Sequence, residues 1–320
     1  MQTEPFSFGI HNCPAGIMFH HFHGGIHKKS QGSITQDNLD RIIRSLFNYD
    51  IISPEEWLDR CKKTEFIGNE ICFTFDDNLK CQFDLAKEVL DSHNIKAFWF
   101  VYTSPFEGRL ERLEIFRHFR HEHFDDIESF YAAFFRHFSA THPLLFKKFL
   151  VSNFKPDYYL KDYHYLTDCD KKFRFIRDEI LTQEIYFELM EDLIKHKNLS
   201  LLGLSNNLWM TEEDLRNLTG DDHSIGLHTH THPTKLSSLA PVAQKREFLT
   251  NKLKIEQITG VKPKAASFPN NSYSAETLRI LKELDVETCF TATPKAINEK
   301  QNIFPRYNHI TIHNFLEDSF

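Results

Sequence analysis

Short apolar runs alternate with amphipathic helical stretches near both ends of the chain. The run at residues 15–19 predicts a buried strand, and apolar residues at positions 39, 42, 43 and 46 follow it with helical spacing. Residues 70–75 and 95–101 are two more runs rich in aromatic and β-branched residues, with another helical stretch between them. Strands that alternate with helices in this way predict a parallel α/β fold.

The same alternation returns after residue 210. Further strands are predicted at residues 224–227, 264–268, 288–291 and 309–313. Capping residues mark the helices between strands, because Ser and Thr side chains accept hydrogen bonds from a helix's first free N–H groups. We predict helices beginning after Thr35, Ser53, Thr211 and Ser274, and one ending at Gly260.

Residues 104–200 interrupt the α/β order with a long helical region whose aromatic residues recur at helical spacing. Such a stripe is more typical of a core between helices than of an aromatic platform for substrate. We therefore predict one catalytic domain over residues 1–320, with a helical insertion over residues 104–200 that serves as a substrate cap.

Composition narrows the class of protein. The chain has 320 residues, of which 41% are hydrophobic and 26% charged, as in ordinary globular proteins. Its net charge of -7 argues against a nucleic-acid or anionic-membrane partner, although local basic runs remain compatible with it. Neither a secretion signal nor a membrane-spanning stretch is evident, and six scattered cysteines form no CxxC pair. These features predict a cytoplasmic protein.

The stretch from His228 to Pro233 concentrates histidines directly after a predicted strand. His228 and His232 are four residues apart and can face one metal ion if the chain turns once between them. In an extended segment His230 would share their face, whereas in a turn it would point elsewhere. Pro233 favours an extended conformation for His232.

Two adjacent carboxylates, Asp76 and Asp77, follow the predicted strand at residues 70–75. Like charges this close repel each other, and a divalent cation would resolve the conflict. If Asp77 binds the ion, Asp76 remains free to take a proton from water as a general base. Side chains alternate along a strand, so both can serve one site only if the chain already turns there, as Asn78 favours.

These motifs resemble those of the polysaccharide deacetylase family, also called the NodB-homology family or carbohydrate esterase family 4. The resemblance rests first on Thr74-Phe75-Asp76-Asp77 and on His228, His232 and Pro233. Four further segments are similar to parts of the family: Ile17-Met18-Phe19-His20, residues 95–101, Ser267-Phe268-Pro269-Asn270 and Phe304-Pro305-Arg306-Tyr307.

The resemblance implies a distorted (β/α)7 barrel that binds one divalent metal ion, commonly zinc, with Co, Mn or Ni as alternatives. Asp77, His228 and His232 would be its ligands and Asp76 the general base. The implied reaction is hydrolysis of an N-acetyl group, or alternatively an N-formyl or O-acetyl group, on an amino sugar. The backbone N–H of Asn270, after Pro269, would stabilise the oxyanion.

Three positions depart from the family pattern. Asn78 replaces a Gly, Ser267 stands where the family has an Arg that orients the base, and Asn270 replaces an aromatic residue. We therefore expect a base without its Arg partner. The first choice for the proton donor is His313, which resembles the histidine of the last family motif, with His309 and His20 in reserve.

Two other classes compete with this prediction. A sugar-binding protein without activity would explain the missing Arg but has no chemical need for metal ligands. The segment His228-Thr229-His230 also resembles metal motifs of PHP phosphoesterases and amidohydrolases, but those families place the motif on their first strand. We expect a small or lipid-linked carbohydrate substrate from glycan assembly.

Overall fold

The computed structural model describes residues 14–161, 166–294 and 302–318. The chain divides into two compact units. One consists of Met1–Glu111 with Asn207–Phe320, and the other is Arg112–Asn206. Among the described residues, no helix is both long enough and apolar enough to cross a membrane.

The first unit contains one sheet whose strands pair in parallel. Its strands are β1 (Ala15–Phe19), β2 (Asp50–Ile51), β3 (Glu70–Asp76), β4 (Ala97–Val101), β5 (Ser224–Leu227), β6 (Ala265–Ser267), β7 (Thr288–Phe290), β8 (Ile303–Phe304) and β9 (Arg306–Asn308). The order across the sheet is β8-β7-β6-β5-β4-β3-β1-β9, and β2 pairs with β3. Strands β1, β3 and β4 are buried along their whole length, which explains their continuous apolar sequences.

The two ends of this strand order meet. β8 and β9 lie at opposite ends of the order, yet Pro305 alone separates them along the chain. The sheet therefore curves round into a nearly closed barrel, and the predicted distorted (β/α) barrel is confirmed. Because all strands run in parallel, their carboxyl ends share one rim, where such folds place their sites.

Helices follow most of the strands in the first unit and form the second. They are α1 (Gln36–Ser45), α2 (Pro54–Lys63), α3 (Lys87–Ser92), α4 (Arg112–Glu122), α5 (Ile127–Thr141), α6 (Pro143–Leu150), α7 (Asp168–Phe175), α8 (Gln183–His196), α9 (Leu201–Leu204), α10 (Glu212–Gly220), α11 (Pro241–Thr259), α12 (Ala275–Glu283) and α13 (His309–Asp318). The predicted caps are confirmed: Thr35, Ser53, Thr211 and Ser274 each accept a backbone N–H, and Gly260 has the left-handed conformation.

The predicted strand at residues 309–313 is wrong, because these residues begin α13. Alternation of Ile310 and Ile312 suggested a strand, but the buried residues are Ile312 and Leu316, one helical turn apart. Helix α13 packs against α1 and β1.

The second unit, Arg112–Asn206, is helical throughout its regular structure. Its aromatic residues form the centre of the unit, with the rings of Phe130, Phe134 and Phe173 in mutual contact and fully buried. The predicted core between helices is thus confirmed. The role of residues 104–200 as a substrate cap stays a prediction.

Candidate metal centre and active site

The two aspartates stand at the point where the chain leaves its strand. β3 ends at Asp76, and the next two residues, Asp77 and Asn78, have φ angles of 77° and 57°. This left-handed turn breaks the alternation of the strand, so both carboxylates can face one site. Asn tolerates this conformation better than most residues, which explains why it can replace the family's Gly at position 78.

Three of the predicted site residues meet in one cluster. The Oδ1 atom of Asp77 lies 3.3 Å from Nε2 of His228 and 3.2 Å from Nε2 of His232. One ligand atom of each residue lies within 4.8 Å of the others. Among the described residues, this is the group of His, Cys, Asp and Glu side chains whose geometry suits a metal ion.

The spacing of these atoms fits a small divalent ion. Zinc bonds of about 2.0–2.1 Å at tetrahedral angles place neighbouring ligand atoms about 3.3 Å apart. The Nδ1 atom of His228 lies 2.7 Å from the hydroxyl and 3.2 Å from the carbonyl oxygen of Ser267. Donation from Nδ1 to Ser267 leaves the Nε2 lone pair free for a metal, as in many metal sites.

Two side chains of helix α11 form hydrogen bonds with the backbone of the loop at residues 228–232. The buried side chain of Asn251 accepts the backbone N–H of His228 at 3.0 Å and donates to the carbonyl oxygen of Val101 at 2.8 Å. Glu247 accepts the backbone N–H groups of His230 and Thr231 at 3.0 and 2.7 Å. The sequence alone points to neither residue, because helical spacing does not indicate which loop a polar side chain contacts.

The structure confirms the predicted orientation of His230 and contradicts the predicted backbone conformation of His232. His230 points away from Asp77, with Nδ1 3.0 Å from the Thr103 hydroxyl and Nε2 3.5 Å from Glu107, as the turned geometry predicts. The extended conformation expected for His232 is wrong, because its φ is 55°. Its backbone N–H instead donates to Thr229 Oγ1 at 3.2 Å, which closes the turn.

Asp76 is not the unsupported base that the sequence predicts. Two nitrogens of Arg306, Nη1 and Nη2, donate to its two carboxylate oxygens at 2.6 and 2.7 Å. Both side chains are almost fully buried, with exposed fractions of 0% for Arg306 and 4% for Asp76. An arginine from β9 thus supplies the paired contact that the family draws from the position of Ser267. The expectation of a base without an Arg partner is wrong.

The route of the Arg306 side chain is fixed by its neighbours. Nε donates to the carbonyl oxygen of Thr291 at 2.9 Å, and Nη1 also donates to Thr74 Oγ1 at 3.2 Å. Gly16 on β1 pairs with Arg306 in register, and a Cβ at position 16 would lie 2.9 Å from Cγ of the arginine. The glycine therefore leaves the space through which the side chain passes.

The charges around the aspartates favour their ionised forms. Burial acts to raise the pKa of Asp76, but Arg306, with nearby His228, holds it below the usual value. Burial acts in the same direction on Asp77, yet hydrogen bonds with His228 and His232 hold its pKa well below the usual range. Asp76 is therefore a carboxylate able to accept a proton at neutral pH.

The candidate proton donors differ in position. His20, directly after β1, has Nε2 3.8 Å from Asp77 Oδ2 and is partly exposed. Both ring nitrogens of His309 face backbone carbonyl oxygens, those of Met18 and Gly32, at 3.0 and 3.2 Å. His313 lies on α13, where burial lowers its pKa and the nearby charged groups are Glu317, Arg41 and Lys29.

The segment predicted to stabilise the oxyanion forms a short turn after β6. Pro269 is buried, whereas Asn270 is exposed and has φ 50°. The side chain of the preceding Ser267 lies 3.4 Å from Asp76 Oδ1 as well as against His228. β6 therefore contributes to the site through Ser267, and the oxyanion role of Asn270 stays a prediction.

Comparison with known proteins gives one family and several structures. Residues 191–289, which include His228 and His232 but not the aspartates, match the family model described as polysaccharide deacetylase. No curated protein matches the sequence.

Three similar solved structures cover nearly the whole chain. The deacetylase PplD of Streptococcus pyogenes, determined with acetate, has a TM-score of 0.56 at 14% identity and covers 97% of this chain and 100% of its own. IcaB of Ammonifex degensii has a TM-score of 0.57 at 12% identity, with 96% and 97% covered. A de-N-acetylase of Aggregatibacter actinomycetemcomitans has a TM-score of 0.56 at 11% identity, with 96% and 99% covered. The predicted resemblance is therefore confirmed: the chain has the fold of these proteins, and residues 191–289 match the polysaccharide deacetylase model.

Proposed function

We propose that this chain is a metal-dependent hydrolase that removes an acyl group, in the first place N-acetyl, from an amino sugar. One observation carries the proposal. Asp77, His228 and His232 direct their ligand atoms at a common point, and beside them Asp76 is held as a carboxylate by Arg306. A protein that only binds sugar has no chemical need for this pairing of a ligand set with a positioned base.

Each site residue has a separate role in the proposed hydrolysis. A divalent ion held by Asp77, His228 and His232, most suitably zinc, supplies Lewis-acid activation of the acyl carbonyl and of water when bound. Asp76 accepts a proton from the attacking water, whose oxygen bonds to the acyl carbon. The bond between the acyl carbon and the amide nitrogen then breaks, and the nitrogen leaves as an amine after it gains a proton. The Asn270 N–H is the proposed oxyanion donor.

We assign the proton donation to His20 rather than to His313, the first choice from sequence. His20 is the candidate within 4 Å of the ligand cluster. A general acid must reach the leaving nitrogen directly or through one water, and the charged groups around His313 are Glu317, Arg41 and Lys29 instead.

The substrate proposal is a small or lipid-linked carbohydrate intermediate handled in the cytoplasm. The five cysteines among the described residues are free thiols, which supports a reducing compartment. The net charge of -7 makes an anionic polymer a poor partner for the chain as a whole.

The decisive experiment compares the wild type with Asp76→Asn after loading with zinc. Acetate and formate release are measured from a panel of N-acylated and O-acetylated amino sugars, together with bound metal. We expect turnover to fall about 10²–10⁴-fold in the variant while about one metal ion stays bound, because Asp76 moves a proton and Asp77 binds the ion. Loss of metal in the variant would mean that the two aspartates have exchanged roles. A wild type that binds these sugars but releases no acyl group contradicts the hydrolase proposal.

A second comparison tests the donor. His20→Asn should lower kcat by at least about tenfold with metal retained, whereas His313→Asn should leave kcat within about twofold. The opposite pattern would restore His313 as the donor.

A further inference from the structure

Helix α6 of the second unit has two faces with different environments. Phe149 is buried, and its ring contacts those of Phe146 and Phe154 at centroid distances of 6.1 and 5.8 Å. Elsewhere on the helix and at its C-cap, Leu144, Leu150 and Val151 are exposed by 83%, 63% and 75%. Exposed large apolar side chains are ordinary when scattered singly, but here three lie within eight residues.

Lysines stand between these apolar side chains. Four of these side chains share one face, because their spacing is i, i+3, i+4 and i+7: Leu144, Lys147, Lys148 and Val151. The helix ends at the last of them, its C-cap. Both lysines are exposed, and neither forms an ion pair within the described part of the chain. We call Leu144, Lys147, Lys148, Leu150 and Val151 the α6 patch.

The segment of chain that carries the α6 patch is also basic. Residues 136–161 contain five Lys or Arg and one Asp, a local charge of +4 in a chain whose net charge is -7. Beyond the helix, Tyr158 is 75% exposed with the Lys155 ammonium 5.8 Å from its ring centroid. Tyr side chains favour membrane interfaces because they combine an apolar ring with a polar tip.

We propose that the α6 patch docks this protein on the surface of an anionic lipid bilayer. Apolar side chains flanked by lysines suit such a surface, since Leu and Val enter the acyl boundary while the ammonium groups reach up to lipid phosphates. A protein partner fits less well, because lysine is depleted at the centres of protein interfaces. The proposal stands apart from the hydrolase assignment, as it uses residues of the second unit alone.

The test measures sedimentation of the full chain with vesicles of phosphatidylcholine alone and of phosphatidylcholine with phosphatidylglycerol. We expect binding to the anionic vesicles to be at least about tenfold tighter and to weaken with added salt. Lys147→Glu with Lys148→Glu, and separately Leu144→Ser with Val151→Ser, should each reduce that binding about tenfold or more, with unchanged circular dichroism.

The matched control lies on α11 of the first unit. Val242 and Leu253 are exposed by 78% and 56%, but nearby Lys245 and Lys254 are paired with Glu283 and Glu212. Val242→Ser with Leu253→Ser should therefore leave vesicle binding unchanged. Equal binding to both vesicle types, an equal loss in the control, or patch variants that change only the oligomeric state would each overturn the proposal. The last result would identify a second copy of the chain as the occupant.

Discussion

The metal-ligand cluster and the pocket around Asp76 lie side by side but are assembled in different ways. Two of the three ligands, His228 and His232, come from one five-residue loop, and the third follows β3 directly. The Asp76 pocket instead collects Arg306 from β9 and Ser267 from β6, with space left by Gly16 on β1. Two of the three proposed ligands are thus encoded in one loop, whereas the proposed base and its arginine partner need closure of the barrel.

This difference makes the two regions separable by mutation. Changes in the ligand cluster should remove metal and activity together, because the ion is the shared element. Changes in the Asp76 pocket should reduce turnover while metal remains, since Arg306 contacts the base and not a ligand. Variants in that pocket therefore measure how independent the two regions are.

Arg306→Met should have the largest effect. Removing one partner of a buried pair leaves the Asp76 charge uncompensated, which costs about 3–5 kcal/mol in unfolding free energy. We expect kcat to fall about 10²-fold or more, with about one metal ion still bound. Urea unfolding, turnover and metal content check this. Arg306→Lys keeps the charge without the two-pronged geometry and should be intermediate. Loss of metal in both variants would show that the two regions act as one.

Gly16→Ala should affect Asp76 indirectly, by displacing the side chain of Arg306. The new methyl group would lie 2.9 Å from Cγ and 3.1 Å from Cδ of Arg306, so the arginine has to shift. We expect kcat to fall about tenfold with metal affinity unchanged, because small displacements of positioned groups lower turnover strongly. Gly220→Ala is the control, since a Cβ there meets nothing within 4 Å. Equal kcat in the two variants would disprove the role of Gly16.

Ser267→Ala tests the contact that joins the two regions. The hydroxyl lies 2.7 Å from the ligand His228 and 3.4 Å from the base Asp76. Residues that orient a metal ligand typically contribute about 10–100-fold to metal affinity, and we expect the lower end here because the Ser267 carbonyl oxygen remains near His228 Nδ1. Competition with a chelator measures the affinity. An unchanged zinc affinity would show that the two regions are independent at this point.

Two of the incorrect predictions share one physical origin. The family position of the orienting Arg carries Ser267, which predicts an unsupported base, although Arg306 lies in a segment that resembles the family. Its partner Asp76 is 230 residues away along the chain, and no local spacing connects them. The strand predicted at residues 309–313 failed similarly, because packing on α1 and β1 selects a helix for a segment whose short pattern fits both.

By itself, the sequence determined the parallel α/β order, four helix N-caps, the end of one helix at Gly260 and the two motifs that supply the proposed metal ligands. These features depend on periodicity, on capping hydrogen bonds and on spacing within a few residues, all of which are local. Only the tertiary structure decided that Arg306 holds Asp76, that Ser267 and Asn251 contact His228, and that Nε2 of His20 lies 3.8 Å from Oδ2 of Asp77. Those contacts join residues far apart along the chain, and barrel closure at Pro305 brings Arg306 to the base.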